Sequence, residues 1–253
     1  MLLCVARILL IASPGYIHPD EFFQSAEVFV SPPWEFQSAN ALRTPVFPWV
    51  MSHVPRMCFR LWFSPRLLPL AVSFLVDVFV WRSSLIPSVK QARLLLLASS
   101  WPMLVLQSRS FSNGLESVCV AAISLFQQNA VVVGAVGAVG VFARFTFPAF
   151  AVAMVKLPPA KATVVAAIVV SLVFVGIDSS FYGCGVVVTP LNALLYNVNT
   201  TNVATHGLHP RYVHSVVNLP MLLGPVVVSA LKPSASWIVP LAILSLSPHQ
   251  VKV

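Results

Sequence analysis

The sequence predicts an all-α polytopic membrane protein of about eight or nine spans, since a spanning helix takes ~20 apolar residues and the chain has 253. Two observations carry that expectation. Hydrophobic residues make up 58% of the chain and charged residues only 9%, with a mean hydropathy of +0.87, whereas soluble domains carry about 25% charged residues. So little charge cannot cover a water-facing surface. Apolar runs also recur at 67–81, 92–106, 115–126, 130–143, 145–157, 163–177, 213–231 and 236–246, several of them short of a full span.

Residues 1–12 are apolar apart from Arg7 and resemble the hydrophobic core of a signal peptide. An acidic motif follows at once, so the segment reads as a short first span. A polar and aromatic loop over 13–66 comes next and holds four of the seven acids: Asp20, Glu21, Glu27 and Glu35. Within it, 48–63 mixes Trp49, Met51, Met57 and Trp62 with His53, Arg56 and Arg60, a pattern that suits a helix lying in the bilayer interface. A packed loop outside the membrane is the alternative. Further on, Gly134, Gly137 and Gly140 suit close helix packing. Arg144 then breaks an apolar stretch, which means two short helices meeting or a polar cavity beside the residue.

The net charge of +8 does not point to nucleic acid, because the basic residues are scattered singly with no basic run. Cys4, Cys58, Cys119 and Cys184 show no metal-ligand spacing. Cys4 and Cys119 lie in apolar runs and read as core fillers; Cys58 and Cys184 are the pair that would face an oxidising compartment. With alternating spans and the first loop outside the cytosol, 109–114, Arg144, 178–211 and His249 share a side with Asp20. Lys90, Lys156, Lys161 and Lys232 fall on the other, as the positive-inside tendency asks.

The segment Gly15-Tyr16-Ile17-His18-Pro19-Asp20-Glu21-Phe22-Phe23-Gln24 is the most informative in the chain. Carboxylates are costly in so apolar a protein, and two side by side next to a span read as a functional site. Asp77 and Glu116, inside or at the edge of spans, read as interhelical hydrogen-bonding groups. Asp178, which this reading puts at the start of a second long loop, rivals Asp20 on charge alone. Asn199-Thr200-Thr201 is an N-glycosylation sequon.

Taken with Pro33-Trp34-Glu35-Phe36, Arg109-Ser110-Phe111-Ser112-Asn113, Asp178-Ser179-Ser180-Phe181-Tyr182-Gly183, the run from Thr189 to Asn197 and His206-Gly207-Leu208-His209-Pro210-Arg211, that segment resembles glycosyltransferase family 22 over almost the whole chain. Within the family it is most similar to the branch that adds a fourth mannose to the GPI-anchor precursor. The resemblance implies a GT-C membrane fold in the endoplasmic reticulum with luminal catalytic loops. The implied reaction is inverting α-1,2 transfer from dolichyl-phosphate mannose to a GPI precursor glycolipid, with no cofactor and no metal.

Such a transfer needs a carboxylate to take the proton of the acceptor hydroxyl as an oxocarbenium-like transition state forms. Asp20 is the expected base, with Glu21 the second choice or an acceptor-positioning group. His18 is a candidate for a hydroxyl or phosphate, against a plain loop role. Arg109, Arg144 and Arg211 are candidates for the donor phosphate, which arginine grips in bidentate fashion. Asn113, Tyr196 and Asn197 are candidates for sugar hydroxyls, and His206 belongs to the same substrate-binding set. The His206, His209 and His214 spacing mimics a metal site without a matching carboxylate.

Two departures from the family stand out. Its Arg-Pro-Thr step reads Arg144-Phe145-Thr146 here, with Pro148 two places later. At Ser247-Pro248-His249-Gln250 the family continues into further spans, so the chain reads as a single domain over 1–253 cut short at its C-terminal end. The remaining readings are another family-22 acceptor (the third GPI mannose or an N-glycan precursor) and an inactive remnant. A transporter fits poorly, since charges gather in loops and no internal repeat is evident.

Overall fold

The computed structural model describes residues 2–25, 27–58, 64–83, 85–154, 161–183, 185–205, 210–223 and 235–246. Among them the regular elements are helical and no strand occurs, in agreement with the all-α expectation. The helices are α1 (Leu2–Ile11), α2 (Pro19–Phe23), α3 (Val46–Cys58), α4 (Leu67–Arg82), α5 (Pro87–Ser99), α6 (Ser112–Phe126), α7 (Ala130–Ala143), α8 (Phe147–Met154), α9 (Lys161–Tyr182), α10 (Thr189–Val198), α11 (Thr200–Ala204), α12 (Leu219–Leu223) and α13 (Ala235–Leu246). Short 3₁₀ or π turns lie at Trp34–Phe36, Ser64–Arg66, Pro102–Leu106 and His214–Asn218.

Helix α7 is the hub, packed against α9 and α6, while α6 packs on α4 and α13 on α8. Glycines permit the close approach. A Cβ on Gly134 would lie 2.1 Å from the Thr163 carbonyl oxygen, and one on Gly140 would lie 2.5 Å from the Phe147 ring. Gly137 faces open space, so two of the three glycines fulfil the packing expectation. Phe147 fills the groove left by Gly140 and joins Cys119 and Ile123 in a buried cluster.

Helix α9 has 22 residues, with a mean hydropathy of 2.3 over an 18-residue stretch, and it is the one described helix long and apolar enough to cross a membrane. Val165, Ile168, Val169, Leu172 and Val173 are exposed along it, while Phe174 and Asp178 turn inward. Helices α6 and α7 are shorter apolar helices. Helix α1 hides Arg7 against α4, where its guanidinium donates to Asp77 Oδ2 at 2.8 Å and Oδ1 at 3.1 Å. Asp77 therefore makes the interhelical bond expected of it.

Three expectations need correction. The run at 92–106 is not one helix, because α5 stops at Ser99 and Pro102, which lacks an N–H, opens a π turn. Asp178 does not open a loop but lies in the last turns of α9. It is wholly buried there, with Thr44 Oγ1 donating to Oδ1 at 2.6 Å and Thr189 Oγ1 to Oδ2 at 2.7 Å. Those two hydroxyls are what let the carboxylate stay inside a helix. Cys4 is exposed on α1, so of the two cysteines read as core fillers only Cys119 is buried.

Of the segment 48–63, α3 takes up the part to Cys58, with Met51 and Ser52 buried and the exposed Trp49 stacked on His53 at 5.7 Å. Its last five residues lie outside the described residues, as do the Cys58 and Cys184 thiols, His206, His209 and 247–253.

Candidate active site

The site begins with a local accident of sequence. Pro19 holds the preceding residue extended, and His18 takes φ −141° and ψ 145°. That makes His18 the N-cap of α2, with Nδ1 accepting from the Asp20 N–H at 3.2 Å, and Pro19 the first helical residue. Since Nδ1 accepts, the neutral ring carries its proton on Nε2. The approach of Asp20 Oδ2 to Nδ1 at 3.6 Å is too long for a hydrogen bond and leaves the carboxylate uncommitted.

Two adjacent residues on a helical turn point about 100° apart, so Asp20 and Glu21 cannot share surroundings. The Asp20 side chain is 50% exposed, and its carboxylate accepts no hydrogen bond among the described residues. Glu21 is 0% exposed. Its Oε1 takes the Arg66 Nε–H at 2.6 Å and the Arg109 Nη1–H at 3.3 Å, and its Oε2 takes the Ile17 N–H at 3.2 Å. Arg66 also donates to the carbonyls of Ile11 (2.9 Å), Ser13 (2.8 Å) and Gly15 (2.5 Å). Arg109 donates to Gly15 O at 3.1 Å and Ser13 Oγ at 2.5 Å. Gly15 reaches φ +80°, a left-handed conformation open to glycine, which aims its carbonyl at both guanidiniums. Glu21 and two arginines thus lock the loop that presents Asp20. Burial pulls the Arg109 guanidinium below the usual arginine range, Glu21 opposes that, and Arg66 adds to it.

A second polar cluster faces Asp20. Arg43 donates through Nε to Glu35 Oε2 at 2.8 Å, which Gln24 also reaches at 3.3 Å. Arg144, the C-cap of α7, contacts Glu116 Oε2 at 3.4 Å and Thr146 Oγ1 at 3.5 Å through Nε, and donates to Asn113 Oδ1 through Nη1. Arg144 therefore separates two meeting helices and joins a cluster of polar side chains. The packed surroundings lower its pKa first, Glu116 opposes that most strongly, Arg43 lowers it further, and Glu35 and Asp20 raise it. The ring of His18 lies 6.4 Å from that of Phe111, which places the Asp20 turn beside Ser112 and Asn113.

The model of the Alg9-like mannosyltransferase family matches residues 1–250. The chain belongs to that family. It is 32% identical over 99% of its length to GPI mannosyltransferase 4 of Emericella nidulans, and 32% identical over 93% to GPI alpha-1,2-mannosyltransferase 4 of Homo sapiens. It is 30% identical over 88% of its length to GPI mannosyltransferase 4 of Saccharomyces cerevisiae. The chain covers 58%, 52% and 53% of those three relatives, little more than half their length. No solved structure matches it.

In this mannosyltransferase-family chain the fold brings His18, Asp20, Asn113 and Arg144 into one neighbourhood. Arg109 lies beneath it, committed to Glu21 and backbone. Tyr196 packs on Trp34 at 5.4 Å, next to Glu35, whereas the Asn197 amide folds back onto Ala193 O at 2.8 Å. Arg211 is exposed and makes no hydrogen bond or ion pair among the described residues. Sequence reading passed over Arg43 and Arg66. Arg66 precedes an apolar run and reads as an ordinary flanking charge; its partner is 45 residues away. Among the described residues no group of three or more His, Cys, Asp or Glu side chains converges as a metal site would.

Proposed function

We propose that the protein is a dolichyl-phosphate-mannose-dependent α-1,2-mannosyltransferase that adds the fourth mannose to the GPI precursor glycolipid. In this reading it is a multi-pass GT-C enzyme of the endoplasmic reticulum membrane with its catalytic loops luminal. The names of the relatives support the acceptor, and the exposed apolar face of α9 supports the membrane. The single observation that carries the mechanism is the contrast between the two acids. Asp20 keeps a half-exposed carboxylate with no hydrogen bond among the described residues, while Glu21 is buried on two arginines.

Asp20 acts as the base that takes the proton of the acceptor hydroxyl while that oxygen attacks the anomeric carbon from the side opposite the phosphate. Glu21, Arg66 and Arg109 hold the loop so that the base does not wander, since small misplacement costs rate heavily. Arg144 supplies positive charge on the side where phosphate leaves. Asn113 and His18 flank the base and offer hydrogen bonds to sugar hydroxyls. The test is mannose transfer in microsomes to a three-mannose GPI precursor, set against an N-glycan precursor, for the unaltered chain and for Asp20→Ala. Transfer confined to the GPI acceptor and lost in Asp20→Ala supports the reading. Full transfer by Asp20→Ala sinks Asp20 as the base.

A further inference from the structure

Five of the described arginines pair with carboxylates, and they divide into committed and poised. Arg7 is spent on Asp77, and Arg66 and Arg109 on Glu21 and the carbonyls around it. Arg43 and Arg144 differ. The Nη1 of each donates to the same atom, Ser112 Oγ, at 3.3 and 3.4 Å. Each guanidinium is also oriented through Nε by a carboxylate, Glu35 for Arg43 and Glu116 for Arg144. Each side chain remains about a quarter exposed, at 26% and 25%. Among the described residues neither Nη2 makes a hydrogen bond. Two cations converging on one hydroxyl repel each other, an arrangement that an anion seated against them would relieve.

The rest of the neighbourhood suits an anion as well. Ser112 is the first residue of the 15-residue α6, so the opening turn of that helix adds its positive end. While the Ser112 oxygen accepts from both arginines, its own proton is free to donate. The segment that carries Arg43 is held in place by its backbone and neighbours. Tyr182 Oη donates to Arg43 O at 2.6 Å, Ser38 Oγ to Tyr182 O at 3.1 Å, Asn192 Nδ2 to Ala41 O at 3.2 Å, and Thr44 Oγ1 to the buried Asp178. Ala41 sits at φ 45°, a left-handed conformation costing an alanine about 1 kcal/mol that persists only where surroundings over-determine it.

We propose that Arg43, Ser112 and Arg144 form the seat of the donor's phosphodiester, with Arg43 a phosphate-binding residue beside Arg144. The inference rests on the reading that the donor is a lipid phosphate sugar. It makes the Asp178–Thr44 and Tyr182–Arg43 bonds positioning contacts for the phosphate site, since they fix the segment without touching the ligand.

The test uses the full chain in detergent micelles. Binding of dolichyl phosphate, dolichol and inorganic phosphate is measured for the unaltered protein, Arg43→Ala and Arg43→Lys, alongside KM and kcat for mannose transfer. Arg43→Ala leaves the carbonyl held by Tyr182 in place, and Arg43→Lys keeps the charge but loses the planar fork. Dolichyl phosphate is expected to bind the unaltered chain in preference to dolichol. Arg43→Ala is expected to weaken it roughly 10- to 100-fold and Arg43→Lys by less, with dolichol binding unmoved. KM for the donor should rise and kcat should fall with it, because charge develops on the departing phosphate, while the acceptor KM is nearly kept.

A folded Arg43→Ala that binds dolichyl phosphate like the unaltered chain overturns the inference while leaving the transferase reading intact. Should Arg43→Ala not fold, an Arg43→Lys chain with unaltered affinity overturns it equally. Inorganic phosphate binding as tightly as dolichyl phosphate overturns the lipid-phosphate assignment. Arg43-dependent binding in a chain that transfers no mannose to GPI precursors upholds the seat and sinks the transferase reading instead.

Discussion

Replacing Glu21 with glutamine separates the roles of the two neighbouring acids most sharply. The side chain keeps its size and can still accept from Ile17, but Arg66 and Arg109 are left buried opposite a neutral amide. Removing one partner of a buried ion pair costs about 3–5 kcal/mol, because the remaining charge has lost its compensation. For a chain of this size each kcal/mol moves the melting midpoint by about 2–4 °C, so Glu21→Gln is expected to melt about 6–20 °C below the unaltered protein. Asp20→Asn removes a half-exposed group without a hydrogen-bond partner and should change stability by no more than about 0.5 kcal/mol, under about 2 °C. Its transfer rate should nevertheless fall by about 100- to 10,000-fold, the usual contribution of a general base.

The assay is a thermal melt in detergent followed by soluble, monodisperse protein, with mannose transfer measured on the same preparations. A third variant checks the cause: adding Arg109→Met to Glu21→Gln removes one orphaned cation and should recover part of the lost midpoint. If Glu21→Gln melts within about 2 °C of the unaltered chain, the locked-loop reasoning fails. If Asp20→Asn is the variant that loses stability, the two acids have been assigned the wrong way round.

Other expectations follow from the same geometry. Gly134→Ala places a Cβ 2.1 Å from the Thr163 carbonyl oxygen and should cost about 1–3 kcal/mol in the same melt, whereas Gly137→Ala, with open space around it, should be nearly silent. Asp178→Ala strands the Thr44 and Thr189 hydroxyls in a buried site, at a cost of about 1–3 kcal/mol, and should also raise donor KM by loosening the segment that carries Arg43. Arg7→Met alone should destabilise by about 3–5 kcal/mol, and pairing it with Asp77→Leu should restore most of that, since the apolar pair leaves no buried charge. Asn199 is exposed at the end of α10, so on the luminal side its glycan should give an endoglycosidase-sensitive gel shift that Asn199→Gln abolishes, and that shift would place the end of α10 in the lumen.

The helical class was legible because it rests on composition, and composition is a sum over the whole chain. Single helix ends were less so, and the misses have particular causes. Asp178 read as the start of a loop because a carboxylate in an apolar run is costly. Half of its compensation comes from Thr44, 134 residues away, and the other half from Thr189, 11 residues on, and no helical or loop pattern announces either. The Arg66–Glu21 pair is invisible for the same reason, and so is the meeting of Arg43 with Arg144 on Ser112.

Each buried carboxylate described above has at least one partner distant in sequence, so the signal legible locally is the problem, an acid where none should be, and not the whole of its solution. The adjacent Asp20 and Glu21 show the limit from the other side. As letters they are interchangeable and invite one shared role. The α2 turn sends one toward solvent and the other onto two guanidiniums, and only after that rotation do they have different chemistry. The motif therefore encodes an exposed carboxylate together with its anchor, and the arginines that make the anchor work lie on segments the motif does not contain.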